Sequence, residues 1–136
     1  MRGFQITKET DYAVRIILYL SREENHIFKS EDISKKMLIP QDFLRKILKR
    51  LEKKGLIKIK RGVGGGIKLS RKPEKITLYD VVEAIEDTVA LNRCVINKST
   101  CRLVSNCPAH PVWMKLRKEI VNSLTEIDFR NIISKK

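Results

Sequence analysis

All three cysteines of the chain fall within one short stretch, and one of its two histidines follows them. Cys94, Cys101 and Cys107 are spaced as C-x6-C-x5-C, and His110 forms a C-x2-H pair with the third cysteine. Thiolate and imidazole groups are the ligands that soft metals prefer in proteins. A single cysteine is more often a small buried apolar residue, but that interpretation is weak for three together. The stretch therefore predicts a metal site with these four residues as candidate ligands.

The spacing favours an iron-sulfur cluster over a zinc ion. Structural zinc sites usually contain close C-x(2 to 4)-C pairs, which this stretch lacks, whereas a cluster is held at several iron atoms and accepts wider spacing. A cysteine hydrolase is disfavoured, because nothing supplies an oxyanion hole or a third group to orient Cys107 and His110. The glycine run at residues 62–66 matches no common nucleotide-binding loop. We therefore do not expect an enzyme.

The chain is strongly basic, with 29 Lys and Arg residues against 16 Asp and Glu residues and a net charge of +13. Most of the excess precedes residue 73, and between Arg45 and Arg61 the only acid is Glu52. Such a field attracts polyanions such as nucleic acid, although a solvated helix face has the same composition. The order of the structural elements must decide between these interpretations.

Nothing in the sequence predicts secretion or membrane insertion. The first residues lack the apolar stretch of a signal peptide, and the longest apolar run covers only residues 16–20. An odd number of cysteines in such a chain indicates reduced thiols rather than disulfides. We expect a cytoplasmic location and no membrane partner.

The elements before the cysteines follow the order of a winged helix-turn-helix. Apolar periodicity predicts helices over residues 8–22, 30–36 and 41–54; Ser30 is the expected cap of the second helix, and Pro40 forces a turn before the third. Gly55 ends the third helix, and short strands over residues 56–60 and 67–70 form a hairpin tipped with R-G-V-G-G-G. In this motif the third helix enters the major groove of DNA, and the hairpin, or wing, reaches the flanking backbone or minor groove.

The third helix separates an apolar stripe from a basic face, which is free to touch a ligand. With the wing, this face presents the candidate DNA-binding residues Gln41, Arg45, Lys46, Lys49, Lys53, Lys60 and Arg61. We expect the first three to read bases and the next three to contact phosphates. The last, at the wing, is expected to enter or flank the minor groove.

The second half of the chain is predicted to hold the cysteines and to join two subunits. A capping-box variant of Thr77 and Asp80 begins a helix that ends near Asp87. A long helix over residues 111–127 has a wider apolar surface than one small domain needs, so we infer a homodimer; the alternative is packing onto the first helix of the same chain. The predicted fold is mainly α with a small β-hairpin wing. It divides into a winged helix-turn-helix DNA-binding domain (residues 1–72) and a cluster-binding loop with dimerisation helices (residues 73–136).

Four motifs in this order resemble the IscR/NsrR-type iron-sulfur winged-helix transcriptional regulators. They are T-D-Y-A-V-R at residues 10–15, the wing tip at 61–66, the helix at 78–87 and the three-cysteine loop. The resemblance covers nearly the whole chain. It implies a homodimer with crossing C-terminal helices, a cluster near the dimer interface and a palindromic operator in double-stranded DNA. It also implies a regulator, expected to be a repressor, that senses cluster status, redox state or nitric oxide.

The resemblance implies two alternative cluster sites. In the IscR branch a C-x2-H histidine completes a [2Fe-2S] site. This resemblance makes His110 the fourth ligand beside the three cysteines, and it is the preferred assignment. In the NsrR branch the aspartate of the T-D-Y stretch, here Asp11, reaches over from the partner subunit and completes a [4Fe-4S] site.

The chain departs from the family pattern at two places. The first cysteine spacing is six residues where five is commoner, so the spacing does not identify the cluster. Arg45 stands where the IscR branch has a glutamate, so the operator sequence does not carry over. The competing hypothesis is a winged-helix regulator with a structural zinc or no metal, which would sense no cluster.

Overall fold

The computed structural model describes residues 5–134. In chain order they form helices α1 (Lys8–Ser21), α2 (Ser30–Met37) and α3 (Gln41–Lys53), strands β1 (Ile57–Lys60) and β2 (Gly66–Leu69), and helices α4 (Leu78–Glu86), α5 (Arg93–Ile96), α6 (Ala109–Glu126) and α7 (Phe129–Ser134). The two strands pair antiparallel, with Ile57 opposite Leu69. This architecture confirms the predicted class, mainly α with a hairpin wing. Within residues 5–134, no helix is both long and apolar enough to cross a membrane.

The observed helix boundaries agree with the predicted ones to within about two residues, the usual uncertainty of helix ends. The capping box that opens α4 is present with both of its hydrogen bonds. The start of α2 is different: Lys29 rather than Ser30 occupies the cap position, without a side-chain hydrogen bond, so the predicted serine cap is wrong. The long helix α6 begins at Ala109, which places His110 in its first turn.

The turn between α2 and α3 has a local physical cause. Leu38 ends α2 with a left-handed backbone (φ 56°). The Ile39 N–H donates to the Ser34 carbonyl (3.0 Å), and the Ser34 hydroxyl donates to the Ile39 carbonyl (2.6 Å). Pro40 then precedes α3, where its missing N–H costs nothing. These contacts fix the angle at which α3 leaves the turn.

One buried core extends through both predicted regions of the chain. Ala13, Ile16 and Ile17 of α1 are fully buried at its centre, and α1 packs against α2, α3, α4 and α7. Val81 and Ile85 of α4 belong to the same buried cluster. The division at residue 72 therefore stays a prediction about function, since the core is continuous across it. The outermost residues of the two predicted regions, 1–4 and 135–136, lie outside the described residues.

The C-terminal helices pack on different elements. α6 packs against α4 and α5, and none of its residues is fully buried within the chain. α7 was not predicted; it packs against α1 and begins with the fully buried Phe129. Two backbone hydrogen bonds join the start of α7 to the segment before α4: the Leu78 N–H donates to the Ile127 carbonyl (2.7 Å), and the Phe129 N–H donates to the Ile76 carbonyl (3.1 Å). The chain therefore closes over α1, whereas α6 leaves apolar surface open.

Candidate functional site

The seven candidate DNA-binding residues all have exposed side chains. Four of them, Arg45, Lys49, Lys60 and Arg61, line one groove of about 300 Å3 between α3 and the wing. Its lining also includes apolar side chains and Lys29, so the cationic groups surround a concave surface. Gln41, Lys46 and Lys53 lie elsewhere on α3, outside that groove.

The wing is held against the rest of the fold by specific contacts. Phe28 and Ile67 exchange two backbone hydrogen bonds of 2.8 Å each, which add a third extended segment beside β2. The Lys29 ammonium donates to the Gly65 carbonyl (3.0 Å). Glu52, the one acid of the basic stretch, accepts a hydrogen bond from the Ile59 N–H (3.1 Å) and so joins α3 to β1. Neither contact is predicted by the sequence pattern, because each partner is a backbone group, 36 positions from Lys29 and 7 positions from Glu52.

Gly65 explains why the wing tip needs glycine. A Cβ at this position would lie 2.1 Å from the Lys60 carbonyl oxygen, a severe clash with backbone. Gly62 and Gly64 are needed for a different reason: their φ values of 91° and 76° are positive, a backbone conformation that favours glycine. The tip is therefore a tightly folded turn that places Arg61 beside α3.

The four candidate metal ligands line a second cleft, of about 230 Å3. Cys94 is buried, Cys101, Cys107 and His110 are half-buried, and all three thiols are free. The His110 Nδ1 lies 3.1 Å from the Cys94 Sγ. The single tryptophan of the chain, Trp113, also lines this cleft.

Two asparagines shape the loop that carries the cysteines. Asn92 caps α5 by accepting from the Arg93 N–H (2.8 Å), and Asn97 caps the following 3-10 turn by accepting from the Ser99 N–H (3.0 Å). Because short side chains of this type satisfy backbone donors locally, the loop folds with little apolar packing. Its cysteines can therefore face a shared cleft.

The donor set of the cleft suits a soft metal group with several coordination points. Three thiols and an imidazole surround it, and such groups bind zinc, copper or iron-sulfur clusters. Between residues 5 and 134, no three His, Cys, Asp or Glu side chains are close enough to hold one metal ion. Asp11, the alternative ligand, does not line the cleft of its own chain; it forms an ion pair with Arg15 (2.8 Å).

Comparison with protein families gives the identity of this architecture. A family described as Rrf2, iron-dependent transcriptional regulator, matches residues 6–135. The chain belongs to the Rrf2 family. The match includes the helix-turn-helix, the wing, the cysteine loop and the C-terminal helices, so the identification covers the sites described above. The prediction of an IscR/NsrR-type winged-helix regulator is confirmed at the level of the family.

Known Rrf2 relatives are similar over most of their length. The HTH-type transcriptional regulator NsrR of Shouchella clausii is 35% identical over 108 residues, covering 73% of this chain and 72% of that protein. The HTH-type transcriptional regulator IscR of Xenorhabdus nematophila is 30% identical over 131 residues, covering 95% and 79%. CymR, the global cysteine regulator of B. subtilis, has a similar structure with a TM-score of 0.79 at 18% identity over 98% and 99% of the two chains.

These similarities establish the general activity of this Rrf2 protein. Its family and relatives are transcriptional regulators and not enzymes, which confirms that prediction. The winged helix-turn-helix is the DNA-binding part of such regulators, and here it presents the basic groove between α3 and the wing. The similarity to CymR concerns the fold.

Proposed function

We propose that this Rrf2 protein is a homodimeric transcriptional regulator whose affinity for DNA depends on an iron-sulfur cluster held by Cys94, Cys101, Cys107 and His110. The observation that carries the proposal is the shared cleft, which brings together four soft ligands from α5, the loop and the first turn of α6. Family membership supports it, because the matching family is described as iron-dependent. When bound, the cluster would supply a group that reacts with oxidants or nitric oxide.

The basic groove supports the mode of DNA binding. The N-terminal part of α3 carries Gln41, Arg45 and Lys46, all exposed, where a recognition helix meets base edges. Arginine pairs with guanine through two hydrogen bonds, so Arg45 is our principal candidate for sequence readout. Lys49 and Lys60 lie on either side of the groove, where they would neutralise phosphates.

The choice of His110 as fourth ligand rests on its position. Its imidazole is already beside Cys94, and α6 provides a rigid support for it. This ligand set supports a [2Fe-2S] cluster. Asp11 is half-exposed and forms an ion pair with Arg15 of its own chain, which favours His110 over Asp11. The alternative is a [4Fe-4S] cluster that Asp11 of the partner subunit completes.

The uncovered surface of α6 supports the homodimer. This helix has no fully buried residue within one chain, and Val112 and Met114 are 54% and 42% exposed. Exposed apolar side chains on a surface helix are typical of subunit interfaces. Two subunits joined along α6 would place two α3 helices on one side of DNA, which favours a palindromic operator.

The decisive experiment is the visible spectrum of anaerobically purified protein, with iron, zinc and acid-labile sulfide analysis. We expect coloured protein that contains iron and sulfide, and tighter or weaker binding to a selected duplex after the cluster is removed. Colourless protein with one zinc per chain would replace the proposal with a structural-zinc regulator. Equal DNA affinity with and without the cluster would eliminate the sensor function.

A further inference from the structure

Two arginines from different helices hold the segment that joins α4 to the cysteine loop. We name residues 85–89 the α4–α5 junction. Arg50 of α3 donates through Nη2 to the Ile85 carbonyl (2.5 Å), and Arg117 of α6 donates through Nε to the Val89 carbonyl (2.8 Å). The junction therefore connects the recognition helix on one side with the helix that carries His110 on the other.

Hydrogen bonds from the two arginines reach both ends of this junction. Ile85 is buried, but Asp87 and Thr88 are exposed and Val89 is half-exposed. Asp87 adopts a left-handed backbone (φ 65°), which ends α4 and turns the chain towards the cysteines. The two arginines thus hold the backbone of the junction at its first and last residues.

Arg50 lies outside the groove that Arg45 and Lys49 form with the wing. At about 100° per residue, it is rotated by roughly 140° from Arg45 around the helix axis. It is half-buried and does not line the groove between α3 and the wing. Its Nη2 also lies 3.8 Å from an Asp87 carboxylate oxygen. Arg50 is not among the candidate DNA-binding residues that the sequence predicts, and the structure shows that it contacts the end of α4.

The junction also contacts the start of α1. The Glu86 carboxylate accepts hydrogen bonds from the hydroxyls of Thr7 (2.7 Å) and Thr10. Three helices thus meet at one short segment that lies just before Cys94. A displacement of the cysteine loop that moves the junction would act on α1, α3 and α6 together.

We propose that Arg50 and Arg117 are positioning residues that couple the state of the cysteine cleft to the orientation of the recognition helix. This inference rests on the proposed function, because it requires that the cleft has two states. Binding of a group by Cys94 and His110 orders both ends of the loop, and the junction transmits that order to α3. The protein with a loaded cleft and the protein with an empty cleft then differ in how α3 enters the major groove of DNA. This difference is a shift between two populations.

The test compares DNA affinity with and without the cluster in matched variants. The probe is a duplex selected from a random-sequence library by the wild-type protein, and binding is followed by fluorescence anisotropy. The test variants are Arg50→Met and Arg117→Met. The controls, Lys54→Met and Lys118→Met, remove a positive charge from exposed positions for which the described residues provide no side-chain hydrogen bond or ion pair. The visible spectrum of each variant reports whether the cleft is loaded.

For the wild type and both controls, we expect the DNA affinities with and without the cluster to differ by roughly 5- to 150-fold, the usual range of coupling between sites. In each test variant the ratio should fall close to one while the visible spectrum is unchanged. The double variant should lose no more than either single one, because both residues act on one segment. Arg50→Lys should restore part of the ratio.

Three results would overturn the inference. If both forms of a test variant lose affinity by the same factor, the arginine has only a structural role. If both test variants keep the wild-type ratio, the coupling does not pass through the junction, although the proposed sensor function stands. A wild-type ratio of one refutes the proposed function itself and the coupling with it. Should one arginine variant fail to fold, the other, on a different helix, decides.

Discussion

The imidazole Nδ1 of His110 lies 3.1 Å from the Sγ of Cys94, although 16 positions separate the two residues along the chain. The contact forms because α6 begins at Ala109 and packs against α5, so the first turn of one helix meets the short helix that holds Cys94. The remaining two cysteines line the same cleft. Folding of the chain therefore brings His110 next to Cys94 and places the other two cysteines around the same cleft.

Replacement of single ligands should identify the fourth one. Cys101→Ala should abolish the visible absorption of anaerobically purified protein, because three thiolates are the minimum set in either cluster site. His110→Ala should change or remove the spectrum, whereas Asp11→Asn should leave it unchanged. The measurement is the absorption spectrum with iron and sulfide analysis of each variant. The reverse pattern, loss with Asp11→Asn and retention with His110→Ala, would contradict the [2Fe-2S] assignment.

Two substitutions on α3 should separate base readout from phosphate contact. Arg45→Ala should relax specificity at one base position and cost about 1–3 kcal/mol on the preferred duplex. Lys49→Ala should weaken binding to all sequences alike and reduce the salt dependence by about one phosphate contact, or roughly 0.9 in the log–log slope. Titrations of matched and scrambled duplexes at several salt concentrations measure both effects. Equal losses on both duplexes for Arg45→Ala would refute its role in readout.

The wing tip should not tolerate an alanine at Gly65. The added Cβ would lie 2.1 Å from the Lys60 carbonyl oxygen, so the turn must open and move Arg61 away from α3. DNA affinity should fall sharply while the core stays folded. Gly64→Ala is the control for backbone strain alone: its Cβ meets no atom within 4 Å, and its left-handed backbone costs about 1–2 kcal/mol. Wild-type affinity for Gly65→Ala would show that the wing does not contribute to binding.

Glu86 should make stability depend on acidic pH. Partial burial by itself raises the pKa of this carboxyl, but hydrogen bonds from Thr10 and Thr7 and the nearby Arg50 charge outweigh it and hold the pKa below the ordinary value of 4.5. A carboxyl whose pKa is lower in the folded than in the unfolded chain stabilises the fold above the unfolded pKa. That contribution disappears as the pH falls through the folded pKa.

Glu86→Gln should therefore lower the free energy of unfolding at pH 7 and flatten its decline below about pH 4.5. Urea unfolding across this pH range measures both effects. Glu31→Gln, at an exposed position in the first turn of α2, is the matched control and should keep the wild-type profile. An unchanged acid decline in Glu86→Gln would mean that other groups cause it.

A charge on the apolar side of α6 should separate the subunits. Leu124→Glu places a carboxylate on a helix that has no fully buried residue within one chain, so it should favour the monomer while the single-chain core persists. Asn122→Glu, an exposed position about 200° around the helix from Leu124, should remain dimeric. Sedimentation velocity at several concentrations distinguishes the two species. A stable dimer of Leu124→Glu would place the interface on another surface.

Features set by neighbouring residues could be predicted from the sequence. The apolar stripe of α3, the turn before Pro40 and the capping box of Thr77 and Asp80 depend on helical periodicity and on local hydrogen bonding. These patterns also predicted which side chains of α3 are exposed. The sequence likewise predicted that the three cysteines and His110 share one site, because these candidate ligands lie in one stretch, and they line one cleft.

Features that depend on distant partners required the tertiary structure. Phe129 is a lone aromatic residue near the end of the chain, and only its burial against α1 reveals α7 as part of the core. Lys29 and Arg50 are ordinary cations in the sequence, yet each donates to a backbone carbonyl more than 30 positions away. The sequence determined the helices α1 to α4 and α6, the wing and the residue types of the two candidate sites, since these follow from local spacing. The folded chain alone decided which backbone carbonyls Lys29 and Arg50 contact, because a backbone acceptor has no signature in the identity of a residue.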